Sequence, residues 1–250
     1  MPLLSDEVLI LQAFAYSETS KILRLLTREH GLVSVIARGA LRPKSRYGGQ
    51  LEAFSEGVAV FYTKPTRELQ TLSGFDLINS GQALGRDLIR FGGAALLAEL
   101  VVLTGSEEPE PAIFGHVRSA LRNLARAAQP ELEPMVLTEV WRLIALLGYA
   151  PALGECLHCE RGLDPAEDAV FDYAAGGVRC SRCPAPPAGR SLPASGRRTL
   201  QSMLAGQPMA LQRTAAHWAL LGRFLTYHLA DGRQLRSLEF LNAVLPESHV

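Results

Sequence analysis

The first eighty residues alternate between apolar and polar positions in short runs that turn residues separate. Such alternation, with many β-branched and aromatic residues, is typical of half-buried strands. The pattern predicts five strands, at Ser5–Phe14, Ser20–Thr27, Leu32–Arg38, Gly57–Thr63 and Glu68–Leu77. Glu29–Gly31 is short enough for a hairpin, and Pro65–Thr66 predicts a second tight reversal. The spacing suits a small barrel of the OB type, although an SH3-like barrel has similar statistics.

From about Leu84 the apolar residues recur every three or four positions, which indicates helices. The face predicted for the first helix consists of Leu84, Leu88, Phe91, Ala95, Ala98 and Val102. A second helix, which Pro111 can start, has its face at Ile113, Val117, Leu121 and Leu124. A third has its face at Val136, Val140, Leu143, Ile144 and Leu147 and ends at Gly148. Further helices are predicted at Gly196–Leu204, Leu211–Leu229 and Leu238–Val244.

The overall composition is that of an ordinary globular protein, with 48% hydrophobic residues, 20% charged residues and a formal net charge of zero. No global field therefore draws the chain to nucleic acid or membrane, and any electrostatic argument is local. The opening MPLLSDEVLIL carries acids and no basic region, unlike a secretory signal. The longest apolar stretch, Ala94–Leu103, is shorter than the roughly twenty residues of a bilayer crossing. We expect a cytoplasmic protein without a membrane partner.

Four cysteines form two Cys-x2-Cys pairs separated by twenty residues, namely Cys156, Cys159, Cys180 and Cys183. Cytoplasmic thiols stay reduced, so a metal site explains the pairs better than the alternatives, two redox dithiols or disulfides. Two such knuckles complete a tetrahedral site for one Zn²⁺. Thiolates at all four corners leave no position open for water or substrate, so we expect a structural ion. His158, inside the first knuckle, is expected to be solvated.

The fold class that follows is an α+β multi-domain protein, with an N-terminal OB-type β-barrel and a C-terminal all-α domain that carries an inserted four-cysteine zinc finger. Helices flank the cysteine-bearing segment on both sides, which is why we describe this segment as an insertion. The predicted segments are residues 1–80 for a nucleic-acid-binding barrel, 81–151 for the first part of the helical domain, 152–190 for the zinc-binding insertion and 191–250 for the second helical part.

Basic residues concentrate in positions 20–50, where seven lysines and arginines accompany one acid. Alternation along the second strand puts its leucines on one face and Arg24 and Arg28 on the other. The same pattern along the third strand puts Arg38 on the outside. Successive strands are therefore predicted to present these arginines on one outer surface, which OB barrels use to bind oligonucleotides.

The connections of the barrel add further cations. The loop at 39–50 contains three basic residues and no acid, and its glycines allow the backbone to approach a phosphate. An aromatic residue in this loop is expected to stack on a base. The predicted nucleic-acid surface consists of Arg24, Arg28, Arg38, Arg42, Lys44, Arg46, Tyr47, Lys64 and Arg67. Arg197 and Arg198 could extend it. The alternative is that this charge run is only a solvated face.

Motifs of several enzyme classes are absent from the sequence, including a P-loop, HExxH and GxSxG. The histidines show no ligand spacing among themselves. We therefore predict no catalytic residues, no small-molecule substrate and no enzymatic activity. Two alternatives from other classes remain. One is a zinc-stabilised nuclease or deaminase, which needs an open metal position, and the other is an interaction scaffold that never contacts nucleic acid.

Several motifs, taken in order, resemble the bacterial recombination mediators of the RecO family. Residues 11–32 are similar to the opening strand of that family, its tyrosine–glutamate turn and its T-x-x-x-G hairpin. Ala37–Ala40 matches the basic-glycine step into the long loop. The Gly154–Cys159 knuckle and the second cysteine pair match the zinc-bearing members, and the segment from Arg236 matches the C-terminal helix.

The resemblance implies an OB-type barrel, a helical domain and a zinc finger in a nucleoid-associated protein of DNA repair. It also implies binding of single- and double-stranded DNA, annealing of complementary strands, and partnership with RecR. A further implied role is to help RecA replace single-strand-binding protein. Carried over by position, the implied DNA contacts are Arg24, Arg38, Arg42, Lys44 and Arg46. Because some members lack the cysteines, the zinc is expected to be scaffolding.

Overall fold

The chain forms two compact units, Met1–Arg126 and Ala127–Val250. A computed structural model describes residues 2–64, 66–207, 214–230 and 233–245. Within these ranges, no helix combines the length and the apolar composition that crossing a bilayer would require.

A closed five-stranded barrel opens the first unit. Its strands are β1 (Leu3–Ala15), β2 (Lys21–Thr27), β3 (Leu32–Ala37), β4 (Glu56–Tyr62) and β5 (Leu69–Asn79). Around the barrel they follow the order β1-β2-β3-β5-β4, with β3 and β5 parallel and β1 closing against β4. The predicted strands and the OB-type barrel are confirmed, and every strand end lies within two residues of its expected position. Pro65, in the predicted reversal, lies outside the described residues.

The interior of the barrel is apolar because alternate side chains of each strand point inward. Leu23, Leu25 and Val35 are completely buried, whereas Arg24 between the two leucines is exposed. Phe61 of β4 is also completely buried in the same cluster. The alternation deduced for the second and third strands is thus the one that the barrel adopts.

Two helices complete the first unit, α1 (Leu88–Thr104) after a 3-10 turn at Gly81–Arg86, and α2 (Pro111–Arg126). Helix α2 begins at the predicted proline, and all four residues of its predicted face are buried. Its Arg122 fastens the helix to the barrel, because the guanidinium donates to both oxygens of Glu56 at 2.7 and 2.8 Å. Glu56 is only 5% exposed, so this bidentate pair satisfies a carboxylate that the fold has removed from water.

The face predicted for α1 is wrong. Leu88 and Phe91 are 60% and 41% exposed, whereas Leu97 and Leu100, which the prediction left out, are completely buried. The helix is apolar around almost its whole circumference, so the spacing of its leucines says little about which side meets the core.

The helices of the second unit are α3 (Leu132–Leu146), α4 (Ala194–Leu204), α5 (Ala215–His228) and α6 (Arg236–Val244). Gly148 follows α3 with φ of +86°, the left-handed conformation expected of a glycine that ends a helix. The start predicted for the fifth helix, Leu211, lies outside the described residues.

A small sheet is formed by the chain between α3 and α4. Its strands are β6 (Ala152–Cys156), β7 (Ala169–Asp172), β8 (Gly177–Cys180) and β9 (Arg190–Leu192), in the order β6-β8-β7-β9. The sequence did not reveal these strands, because runs of three to five residues are too short to show alternation. Helices α1 and α2 belong to the same compact unit as the barrel. The division of the chain into segments at residues 80, 151 and 190, as predicted from the sequence, remains a prediction.

Candidate nucleic-acid interface and metal centre

Strands β2 and β3 present two arginines on the outside of the barrel. Arg24 is exposed and lies opposite Ser34 of β3, and Arg38, directly after β3, is exposed as well. Neither guanidinium forms an ion pair with any residue that the structure describes. Their charges are thus available to an anion from outside the molecule.

The loop after β3 is a series of tight turns. Gly39 has a φ of +73°, and backbone hydrogen bonds connect Arg42 N–H to Gly39 O at 3.2 Å and Ser45 N–H to Arg42 O at 2.9 Å. These turns leave the side chains of Arg42, Lys44 and Arg46 exposed. Within the described ranges none of the three pairs with a carboxylate. The loop therefore concentrates three positive charges in an ordered conformation.

The structure corrects the role expected of Tyr47. Its ring is 2% exposed and belongs to the core of the barrel, where its hydroxyl donates to Leu72 O at 3.3 Å. Arg46 lies over the ring, with Cζ 4.9 Å from the centroid, and also donates to the hydroxyl at 2.8 Å. A ring in this position cannot stack on a base, so Tyr47 holds the loop to the barrel instead.

The structure also corrects the inclusion of Arg28 in the predicted nucleic-acid surface. Its guanidinium lies 3.4 Å from a carboxylate oxygen of Glu7 and 3.5 Å from one of Glu29. Arg118 of α2 approaches the same Glu7 oxygen at 3.2 Å. Arg28 therefore belongs to a mixed-charge network, which screens it from an external phosphate, and sequence alternation could not reveal Glu7 as a neighbour from another strand.

The connection between β4 and β5 carries two further predicted contacts, Lys64, which is half-buried, and Arg67, which is exposed. The side chain of Gln70 holds this connection, because it accepts from Lys64 N–H at 2.8 Å and donates to Lys64 O at 3.1 Å. Arg67 is exposed and lines a shallow depression together with Arg38, Tyr62 and Thr71. Tyr62 was not among the residues predicted from the sequence. Its position at the exposed end of a predicted strand, beside a basic turn, was the available signal.

The four cysteines meet in the second unit with the geometry of a metal site. Their sulfur atoms all lie within 4.8 Å of one another, and the group comprises the two expected pairs. Three of the Sγ–Sγ distances are 3.6, 3.8 and 3.8 Å. Zn–S bonds of about 2.3 Å in a tetrahedron require sulfurs about 3.8 Å apart, so the cluster fits one zinc ion. His158 is exposed, as expected of a knuckle tip.

The electrostatics of the cluster also favour a bound cation. Burial raises the pKa of the Cys156 thiol, but backbone N–H groups, led by that of Cys180, outweigh burial and lower this pKa to about 6. Burial and the neighbouring thiols raise the pKa of Cys183 to about 12. The Cys183 thiol therefore resists ionisation when the other three sulfurs are close to it. A divalent cation would remove this repulsion and hold all four as thiolates.

Two arginines support the fold around the cysteines. Arg161 pairs with Glu167 at 2.6 Å, next to the first knuckle. Arg197 of α4 is only 2% exposed, and its guanidinium donates to the backbone carbonyls of Leu153 and Glu167 at 3.0 and 3.2 Å. Arg197 therefore cannot extend a DNA-binding surface, which the sequence had left as a possibility. Arg198 is exposed and donates to a carbonyl of the same segment at 2.6 Å.

Family profiles cover most of the chain. The profile described as "Recombination protein O N terminal" matches residues 1–80, and that described as "Recombination protein O C terminal" matches residues 85–239. The first corresponds to the barrel. The second contains the six helices found among the described residues, apart from the last residues of α6, and the cysteine cluster.

Whole-length relatives agree with the profiles. The chain is 32% identical to a DNA repair protein RecO of Pelotomaculum thermopropionicum, over 97% of this chain and 94% of the relative. It is 32% identical to a DNA repair protein RecO of Myxococcus xanthus, over 96% and 97%. A DNA repair protein RecO of Bacillus subtilis is 33% identical over 71% and 67%. By these profile matches and sequence similarities, this chain belongs to the recombination protein O family.

Proposed function

We propose that this protein is a non-catalytic mediator of recombinational repair that binds single- and double-stranded DNA through the outside of its barrel. In this role it anneals complementary strands and, together with RecR, helps RecA replace single-strand-binding protein. One observation carries the proposal. The barrel of a chain from a DNA repair family carries exposed basic side chains, on β2, directly after β3 and in two of its loops, that have no carboxylate partner among the described residues.

The proposed DNA-binding surface is smaller than the one predicted from the sequence. It consists of Arg24, Arg38, Arg42, Lys44, Arg46, Lys64 and Arg67. Arg28 is left out because it pairs with Glu7 and Glu29, and Tyr47 because its ring is buried. Contacts of this kind go to phosphates, so binding should be largely independent of base sequence.

The salt dependence of DNA binding tests the proposal. With roughly five phosphates neutralised, the logarithm of the association constant for single strands should fall against the logarithm of salt concentration with a slope of about −3.5. Replacing Arg42, Lys44 and Arg46 together by alanine should make the slope shallower by about 2 and weaken binding. Fluorescence anisotropy with a labelled oligonucleotide measures both quantities.

Arg28→Ala is the matched control, because its guanidinium already pairs with two carboxylates and its removal should change the slope by much less than the roughly 0.7 of one phosphate contact. Equal binding by the wild type and the triple variant would show that the surface is misplaced. Failure of both to bind DNA would favour an interaction scaffold. Addition of RecR and of RecA to strands coated with single-strand-binding protein then tests the mediator role, in the ionic conditions of the cytoplasm where we place it.

For the cysteine cluster we propose one structural zinc ion, bound by Cys156, Cys159, Cys180 and Cys183. The fit of the sulfur–sulfur distances to a tetrahedron supports the ion, and four thiolates leave it without an open position. Native mass spectrometry should find one zinc per chain, lost in Cys159→Ser. A stably folded Cys159→Ser variant that has lost a nuclease or deaminase activity of the wild type would instead favour the zinc-dependent enzyme.

A further inference from the structure

An unbroken row of outward-facing residues runs across all five strands of the barrel. Each residue of the row is the direct partner of the next residue on the neighbouring strand. The row begins near the C-terminal end of β1 and, after crossing the other four strands, returns to the N-terminal end of β1. The row consists of Phe14, Ile22, Ile36, Thr71, Tyr62 and Leu3. Directly paired residues point to the same side of a sheet with their Cβ atoms about 5 Å apart, so these side chains form one continuous strip.

Burial shows that the strip faces outward. The strand neighbours of its members, such as Leu23, Val35 and Phe61, are completely buried in the barrel core. By contrast, Phe14 is 50% and Tyr62 38% exposed. Two large aromatic side chains therefore stand on the outer surface of a barrel, next to aliphatic residues that are only partly covered. A contiguous strip of this kind marks a binding surface more often than scattered apolar residues do.

The strip lies between cations. On β2, Arg24 comes two residues after Ile22, and on the antiparallel β3, Arg38 comes two residues after Ile36. Because the two strands run in opposite directions, Arg24 and Arg38 lie on opposite sides of the strip. Arg67 adds a third guanidinium beside Tyr62, in the depression that these two residues share with Arg38.

We propose that this strip binds the unpaired bases of single-stranded DNA, with Tyr62 and Phe14 as stacking platforms and Arg24, Arg38 and Arg67 as phosphate contacts. The inference rests on the proposed function, and it specifies that the protein contacts the bases of the DNA as well as its phosphates. Aromatic rings flanked by cations match a strand whose bases and phosphates are both accessible. A duplex keeps its bases stacked inside, so it can use the arginines but not the rings.

The two platforms bind different bases of one strand. Along the row, Phe14 and Tyr62 are four strand spacings apart, which corresponds to about 19 Å over the barrel surface at about 4.8 Å per strand. A single base is much smaller than this distance, so each ring has its own base. The aliphatic side chains of Ile22 and Ile36 between them offer apolar contact to the bases in the middle.

The experiment compares three labelled probes of equal length: a single strand, a duplex, and a single strand whose central nucleotides are abasic. The abasic probe keeps the phosphates and lacks the surfaces on which a ring can stack. Tyr62→Ala should bind the intact single strand about tenfold more weakly than the wild type, the effect of losing one stacked base. Its affinity for the duplex and its salt slope should not change, because no charge is removed.

Matched variants separate stacking from other effects. Tyr62→Phe keeps the ring and should bind the single strand like the wild type. Phe14→Ala should behave like Tyr62→Ala, and the double variant should lose most of the wild-type preference for the intact over the abasic probe, keeping only the part that the apolar contacts of Ile22 and Ile36 contribute. Tyr149→Ala removes a tyrosine that is similarly exposed, at 41%, but belongs to the other compact unit, and should leave all affinities unchanged.

The outcomes distinguish this inference from the proposed function. A wild-type protein that binds none of the probes contradicts both. A wild-type protein that binds DNA with the expected salt slope but treats intact and abasic strands alike overturns the stacking inference only. The inference also fails if Tyr62→Ala and Phe14→Ala keep full affinity for single strands and instead lose binding to a protein partner such as RecR.

Discussion

Gly31, in the hairpin between β2 and β3, shows how strongly a single position can be constrained. Its φ is +64°, and a Cβ atom there would lie 2.5 Å from the carbonyl oxygen of Glu108 and 2.7 Å from that of Ser106. Gly48 has a similar φ of +53°, but no atom lies within 4 Å of the place where its Cβ would be. Substitutions at the two glycines therefore differ in one respect. Both put a side chain on a left-handed backbone, but only the one at Gly31 also crowds neighbouring atoms.

We predict that Gly31→Ala lowers the free energy of unfolding by about 2–4 kcal/mol, since a left-handed alanine and a clash with backbone are added together. Gly48→Ala should cost only about 1 kcal/mol, the conformational part alone. Chemical denaturation followed by circular dichroism measures both. Equal losses for the two variants would mean that the chain around Glu108 yields easily to the extra methyl group.

Residue chemistry also determines how far the candidate site could be foreseen. The cysteines are visible from their spacing, because the ligands of a knuckle are close in sequence. The exposure of Arg24 and Arg38 followed from alternation. By contrast, the pairing of Arg28 with Glu7 and the burial of Tyr47 depend on which strands become neighbours in the barrel. The strip through Phe14 and Tyr62 depends on strand register, which alternation within one strand does not specify.

At the scale of elements, α4 is attached to the cysteine-bearing sheet by one buried side chain. Arg197 reaches out of the helix to carbonyl groups of Leu153 and Glu167, which precede and follow the first knuckle. The neighbouring Arg198 is exposed and donates to the carbonyl of Pro165. Two adjacent arginines thus differ mainly in burial.

We predict that Arg197→Met destabilises the second unit by about 3 kcal/mol, because buried carbonyl groups lose their donors while the methionine fills much of the space. Arg198→Met should change stability by less than about 0.5 kcal/mol. Limited proteolysis of the 152–192 segment, with thermal unfolding, compares the two. A variant that is stable but binds DNA poorly would contradict this prediction. It would mean that Arg197 of the wild type leaves its buried position when DNA binds.

Elements differ in how well the sequence predicts them. The barrel strands are long enough to show a period of two, and α2 has a polar side that makes its apolar face visible. Helix α1 has almost no polar side, so its face was predicted wrongly. Two strands of the small sheet, β6 and β8, end at Cys156 and Cys180, and runs of three to five residues carry no periodic signal.

At the scale of the whole molecule, the chain has two compact units, and the described cysteine cluster lies in the second. Structural zinc in small peptides contributes about 10–16 kcal/mol of binding free energy, which becomes folding free energy. Removing the ion should therefore affect the two units unequally.

We predict two unfolding transitions in calorimetry of the full chain. A chelator should shift one transition to lower temperature and leave the other in place, and DNA should raise the temperature of the transition that the chelator spares. The same scans on Cys159→Ser should reproduce the effect of the chelator. A single transition that moves as a whole under both treatments would show that the two units unfold as one.

The buried ring of Tyr47 has a consequence for the energetics of the DNA binding that we propose. Because the basic loop is pinned to the barrel in its middle, its backbone is already ordered before any ligand arrives. When such a loop binds a phosphate, its backbone loses little conformational entropy. The favourable electrostatic free energy therefore contributes more fully to the affinity. In the proposed DNA-binding role, the tyrosine therefore contributes through preorganisation, without touching the nucleic acid.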